Sequence, residues 1–130
     1  MRAQPLILIV DDEKNFLEIM SVKLKASGFA VETARDKETA IKKAKELKPD
    51  LILMDIHLGG EDGTEVALTI KQDPDTKDAK VAFLTALKEP WPAISGESEA
   101  VAKELGMDEF LEKSEDLDVL VEKIQGILQQ

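Results

Sequence analysis

Short apolar runs alternate along this chain with longer stretches in which apolar residues recur every three or four positions. The runs Leu6 to Val10, Phe29 to Ala34, Leu51 to Met54, Val81 to Leu84 and Glu109 to Leu111 have strand length, and three of them are apolar throughout. Unbroken apolarity belongs to strands buried on both faces, and alternation with amphipathic helices calls for a parallel sheet. The first helix starts at Glu13 after Asp12 as a cap, shows Phe16, Met20 and Leu24, and closes at Gly28. Asp36 caps a second helix that presents Ala40, Ile41, Ala44 and Leu47 and stops before Pro49. The stretch Ile56 to Gly63, with three glycines, reads as a loop, and Thr64 caps a third helix with Val66, Ala67 and Ile70 inward. A fourth helix resumes near Glu97 and ends at Gly106, beyond the segment KEPWPAISG with its lone Trp91 between two prolines. Leu117, Leu120, Val121, Ile124, Ile127 and Leu128 form one stripe of a final helix. The expectation is an α/β domain of five βα units over residues 1–130.

At 130 residues the chain suffices for one core without staples. It has no Cys, which excludes a disulfide, a thiolate metal site and a thiol nucleophile. No apolar run approaches the ~20 residues of a membrane-spanning helix, and the N-terminus lacks a signal-peptide core. A soluble cytoplasmic protein is expected. Seventeen basic residues against 27 acidic ones give a net charge of −10. That balance argues against direct nucleic-acid binding, which depends on neutralising phosphates.

Polar residues at the strand ends change the picture. LILIV runs into Asp11 and Asp12, LILM into Asp55, VAFL into Thr85, and the fifth strand leads to Lys113. Neighbouring parallel strands would gather these side chains at one sheet edge, where open α/β folds bind ligands. Adjacent carboxylates suit Mg²⁺, a small hard cation that takes oxygen ligands. A carboxylate can also attack phosphorus, and phosphoryl transfer consists largely of positioning and charge neutralisation. Lys113 and the Thr85 hydroxyl would meet phosphoryl oxygens. Taken singly, Asp11 and Asp12 also fit a helix cap, Thr85 a packed strand end and Lys113 a solvated surface lysine.

Together these residues resemble the receiver domain of two-component response regulators, the CheY-like family, over nearly the whole chain: LILIVDDE, LILMDIHLGGEDG, VAFLTA and FLEK. The resemblance implies a flavodoxin-like doubly wound sheet of five strands, in the order 2-1-3-4-5, with five helices. It implies Asp55 as phosphoacceptor, a sensor histidine kinase or phosphotransfer protein as donor, and Mg²⁺ held by Asp12, by Asp11 largely through water, by Asp55 and by the backbone carbonyl of His57. Thr85 and Phe110 match the switch pair, Lys113 the phosphate-pairing lysine, and the His57 side chain a position that modulates dephosphorylation. Such a module signals to a downstream protein partner, turns over no independent substrate, and leaves dimerisation on phosphorylation open. No output domain is expected within these residues.

The chain departs from the family at Ser114, which follows Lys113 where proline usually follows through a cis peptide, and at Gly59-Gly60, where proline is frequent and whose flexibility should loosen the wall of the site. The Thr85 to Lys113 interval is longer than usual, and Trp91 within it fits either a partner anchor or local packing. Other classes fare worse. An aspartyl hydrolase of the haloacid-dehalogenase type needs a second Asp where His57 stands, and a flavin carrier needs a Ser/Thr/Gly-rich phosphate loop where Asp11-Asp12-Glu13 stand. A receiver-like interaction domain that works without phosphate is the surviving alternative.

Overall fold

A computed structural model describes residues 4–86 and 109–129. Five parallel strands form the central sheet: β1 Leu6–Val10, β2 Ala30–Ala34, β3 Leu51–Asp55, β6 Lys80–Thr85 and β7 Glu109–Glu112, in the order β2-β1-β3-β6-β7. This is the doubly wound, flavodoxin-like arrangement expected from the alternation of elements. Helices α1 Lys14–Ala26 and α4 Leu117–Leu128 cover one face, and α2 Lys37–Leu47 and α3 Gly63–Gln72 the other. The helix expected near Glu97 to Gly106, and the segment around Trp91, lie outside the described residues.

Two apolar cores explain why the middle strands cannot alternate polar with apolar. On β1 and β3, Leu8, Val10, Ile52 and Met54 face the α2 and α3 side, where Ala40, Ala44, Val66, Ala67 and Ile70 meet them. Ile7, Ile9, Leu51 and Leu53 face the other way, against Leu17, Met20 and Leu24 of α1 and Leu120, Ile124 and Ile127 of α4. All five residues of β3 are buried. A strand enclosed on both faces loses transfer free energy at either face if a polar residue enters it, roughly 25 cal/mol for each Å² of apolar surface.

Local capping differs from the expectation at two helices. Glu13, not Asp12, is the N-cap of α1, and it makes no side-chain cap bond. The Asp11 carboxylate instead accepts from the Glu13 N–H at 2.8 Å, which leaves Asp12 free to face the sheet edge. At α3 the cap is Asp62, not Thr64: its Oδ1 accepts from the Thr64 N–H at 2.9 Å and from the Thr64 hydroxyl at 2.6 Å. An aspartate two residues earlier outcompetes threonine because its carboxylate accepts both bonds at once. Asp36 caps α2 as expected, accepting from the Thr39 N–H at 2.8 Å.

The stretch from Ile56 to Gly63 is also more ordered than a loop. His57–Leu58 (β4) pairs antiparallel with Glu61–Asp62 (β5), and Gly59 turns the chain at φ +60, where side chains are disfavoured. Glu61 Oε1 accepts from the Lys37 N–H at 3.0 Å and ties this hairpin to the start of α2. The stretch is therefore a paired hairpin with Gly59 at its turn, in place of the loop expected from composition.

Gly63 sets how closely α3 approaches β3. A Cβ there would stand 1.8 Å from the Asp55 carbonyl oxygen, and backbone cannot yield as a side-chain tip can. Gly63→Ala is expected to cost on the order of 3 kcal/mol or more, at the upper end of overpacking penalties. Urea denaturation followed by circular dichroism would read this as a lowered midpoint, and an unchanged midpoint would contradict the close approach.

Candidate functional site

The strand register assembles the site. Val10 pairs with Met54, so Asp11 follows β1 beside Asp55 at the end of β3. Asp55 pairs with Leu84, which places Thr85 one step further along the same edge. Thr85 pairs with Glu112, and the Lys113 N–H then donates to the Thr85 carbonyl at 2.8 Å, extending the ladder by one bond. Four C-terminal strand ends thus deliver the residues that sequence analysis singled out.

Asp11, Asp12 and Asp55 offer carboxylate oxygens that all lie within 4.8 Å of one another. Asp11 is fully buried, Asp55 is buried and Asp12 half-buried. The Lys113 side chain is only 8% exposed, which removes the reading of a solvated surface lysine. Its ammonium stands 2.8 Å from Asp11 Oδ2 and 3.8 Å from Asp55 Oδ2, bonds Glu13 Oε1, and lies 4.7 Å from the centroid of the Phe16 ring. The ammonium is thus the ion-pair partner of the buried Asp11 Oδ2. One ammonium among this many carboxylates leaves the pocket net negative, which fits a hard divalent cation. Asp11, Asp12 and Asp55 are the residues placed to hold one.

The burial and crowding of these charges shift their titration. Burial, reinforced by the Asp11 charge, pushes the Asp55 carboxyl up to about 7, against the opposing pull of Lys113 and the His57 N–H, with Asp12 adding to the rise. That N–H donates to Asp55 Oδ1 at 3.2 Å. Burial alone would lower Lys113, but its contacts with Asp11 and Glu13 and the charges of Asp55 and Asp11 outweigh it and hold the ammonium above the ordinary lysine value.

The remaining expected residues surround this cluster. Thr85 is buried at the end of β6. Phe110 is half-buried on β7 in register with Phe83, and the rings pack with centroids 5.9 Å apart and planes tilted by 31°. It is therefore not permanently enclosed. The His57 imidazole is exposed at the start of β4 while its backbone adjoins Asp55. No cis peptide occurs among the described residues, so the Lys113–Ser114 bond is trans. Sequence analysis did not single out Glu13 and Phe16 as partners of Lys113. Glu13 abuts the Asp pair in the chain, which was a usable signal, whereas Phe16 showed only the spacing of a core position.

The family model for the response regulator receiver domain matches residues 7–125. The chain belongs to this family. Over 126 residues it is 31% identical to a DNA-binding dual master transcriptional regulator, RpaA, of a Synechocystis species, an alignment that covers 97% of this chain and 50% of that protein. It is 37% identical over 107 residues to the alkaline phosphatase synthesis transcriptional regulatory protein PhoP of Bacillus subtilis, covering 82% of this chain and 41% of that one. The receiver thus spans about half the length of these curated relatives or less. Among solved structures it is similar to the chemotaxis protein CheY4 of Vibrio cholerae, with a TM-score of 0.82, 26% identity, and coverage of 96% of this chain and 99% of that one. It also resembles the N-terminal domain of a response regulator/sensory box/GGDEF protein of Carboxydothermus hydrogenoformans, with a TM-score of 0.80, 35% identity, and coverage of 95% and 94%. Among the described residues, no helix is long and apolar enough to cross a membrane.

The raised Asp55 value fixes a sign for stability. Between pH ~4 and ~7 the folded receiver holds a proton that the unfolded chain has lost, so the Asp55 contribution makes stability fall as pH rises through that window. Asp55→Asn removes the penalty. In metal-free buffer the variant should be more stable than the parent above pH 7, by roughly 4 kcal/mol at most, with the gain vanishing below pH 4. Chemical denaturation of both proteins across this range checks it, and a pH-independent difference would contradict the electrostatic origin.

Proposed function

We propose that this receiver accepts a phosphoryl group on Asp55 from a phosphohistidine of a sensor histidine kinase or phosphotransfer protein, in a magnesium-dependent step, and that the adduct switches binding to a downstream protein. The observation that supports it most is the placement of the Asp55 carboxylate between two further carboxylates and the Lys113 ammonium, at the end of a buried strand. A carboxylate in such company is poorly paired as it stands, and it is suited to a reaction that brings a cation and then an anion to it.

One Asp55 oxygen attacks phosphorus, the bond from phosphorus to the imidazole nitrogen breaks, and the electron pair leaves with the imidazole of the donor. Asp11, Asp12, Asp55 and the His57 carbonyl would hold Mg²⁺, which would supply neutralisation of charge between the nucleophile and the phosphoryl oxygens. Lys113, already 3.8 Å from Asp55, pairs with one phosphoryl oxygen, and the buried Thr85 hydroxyl donates to another. Moving Thr85 toward the phosphoryl group frees space on the β6–β7 edge, into which Phe110, half-buried beside Phe83, turns inward. The exposed His57 imidazole governs how readily water reaches the adduct. Reversing the switch from mostly inactive to mostly active takes about 5.5 kcal/mol of differential stabilisation, which charge-assisted bonds to three partners can supply.

Incubation with Mg²⁺ and a small phosphodonor such as acetyl phosphate, followed by intact-mass analysis, should give a single phosphoryl adduct. The adduct should require Mg²⁺ and be missing from Asp55→Ala. If neither a small donor nor a cognate kinase labels the protein, a phosphate-independent interaction domain becomes the better account. Asp12→Asn should weaken Mg²⁺ binding by at least about tenfold in calorimetry, since even residues that only orient metal ligands are typically worth that much. Unaltered affinity would remove Asp12 from the metal site.

A further inference from the structure

Two side chains that the proposed phosphoryl transfer does not use both touch the group that must meet the phosphoryl oxygens. Glu13 Oε1 bonds the Lys113 ammonium, and the Phe16 ring lies beneath it at 4.7 Å. Glu13 is the N-cap of α1 and Phe16 lies in its first turn. The ammonium contacts Asp11 Oδ2 at 2.8 Å yet stands 3.8 Å from Asp55 Oδ2, outside hydrogen-bond range. Glu13 is 62% exposed and makes no cap bond for α1, so neither burial nor helix capping accounts for where its carboxylate sits.

We propose that Glu13 and Phe16 are positioning residues that clamp the Lys113 ammonium on the α1 side of the site, so that it must leave Glu13 to engage a phosphoryl group on Asp55. This rests on Asp55 being the phosphoacceptor. Lys113 places a single ammonium on one flexible stem, so a partner at the start of α1 competes with an oxygen at the end of β3 for where that ammonium sits. Glu13 thereby biases the receiver toward its unmodified state without touching the acceptor. An exposed carboxylate can be screened and displaced, which makes it a yielding restraint and not a permanent block. The Phe16 face adds attraction for the cation that salt screens less.

The test is the affinity for beryllofluoride, a tetrahedral phosphoryl mimic, measured by isothermal titration calorimetry at saturating Mg²⁺. Glu13→Ala should tighten binding about two- to fivefold, the range of a partly exposed ion pair. Removing a negative charge would also favour any anion near the site, so the same substitution is made in a Lys113→Met background. There the clamp predicts no further tightening, because Glu13 acts only through the lysine. Tightening that survives without Lys113 would show a general field effect and overturn the proposal, as would an unchanged affinity in Glu13→Ala alone. If Lys113→Met binds too weakly to measure, Phe16→Leu decides, since it alters no net charge: about twofold tightening is expected, and equal or weaker binding overturns the clamp. A parent protein that binds no beryllofluoride would instead defeat the phosphoacceptor reading itself, an outcome distinct from normal parent binding with an indifferent Glu13.

Discussion

Like charge held together out of water is the constraint on which the site depends. Oxygens of Asp11, Asp12 and Asp55 are brought within 4.8 Å because the two carboxylates after β1 and the one that ends β3 lie at the ends of adjacent buried strands. Nothing about that arrangement favours folding. Desolvation and mutual repulsion raise Asp55 to about 7, and Lys113 offsets only part of the excess. The apolar cores on both faces of the sheet are what hold the carboxylates there, since the strands that lead to them are buried along nearly their whole length. The charge cluster thus lowers stability at one edge, as is common at sites shaped by function and not by folding.

The doubly wound topology makes that concentration geometrically unavoidable. In a parallel sheet every strand points the same way, so its last residues share one edge, and the reversal of strand order between β1 and β3 opens a crevice beside them. Gly63 then lets α3 start directly against the Asp55 backbone, closing the floor of the crevice with main chain in place of a side chain. The β4–β5 hairpin, tied to α2 through Glu61, places Gly59 close to Asp12, where an added Cβ would lie 3.6 Å from the Asp12 carboxylate. Among the described residues, these two approaches to the carboxylates are therefore set by backbone.

Most of this was legible in the sequence because period and position carried it. Apolar runs marked the strands, and their terminal Asp, Thr and Lys residues marked the edge. What was not legible depends on competition between near neighbours. Asp62 and Thr64 both suit an N-cap, and only the folded backbone decides that the carboxylate two residues earlier accepts both bonds. Asp12 looked like the cap of α1 because it precedes the first helical residues, but Asp11 takes the Glu13 N–H and Asp12 turns to the site. Gly59-Gly60 suggested a slack loop, since composition cannot reveal a pairing of His57 with Asp62 or a tether from Glu61 to Lys37. The contacts of Glu13 and Phe16 with Lys113 span 100 residues or nearly so, a separation at which one sequence carries no signal.

The same charge imbalance connects the resting structure to its proposed switching. A cation in the pocket lowers the cost of ionising Asp55, and an ionised Asp55 is the form able to attack phosphorus. A phosphoryl group then replaces one carboxylate charge by a larger one with more acceptor oxygens, which draws Lys113 and Thr85 toward β3. Because Lys113 begins the reaction engaged with Glu13 and Asp11, its displacement transfers part of the event to the start of α1 as well as to the β6–β7 edge. In the proposed switch, a single ammonium shared among three carboxylates would link the start of α1 to the end of β3.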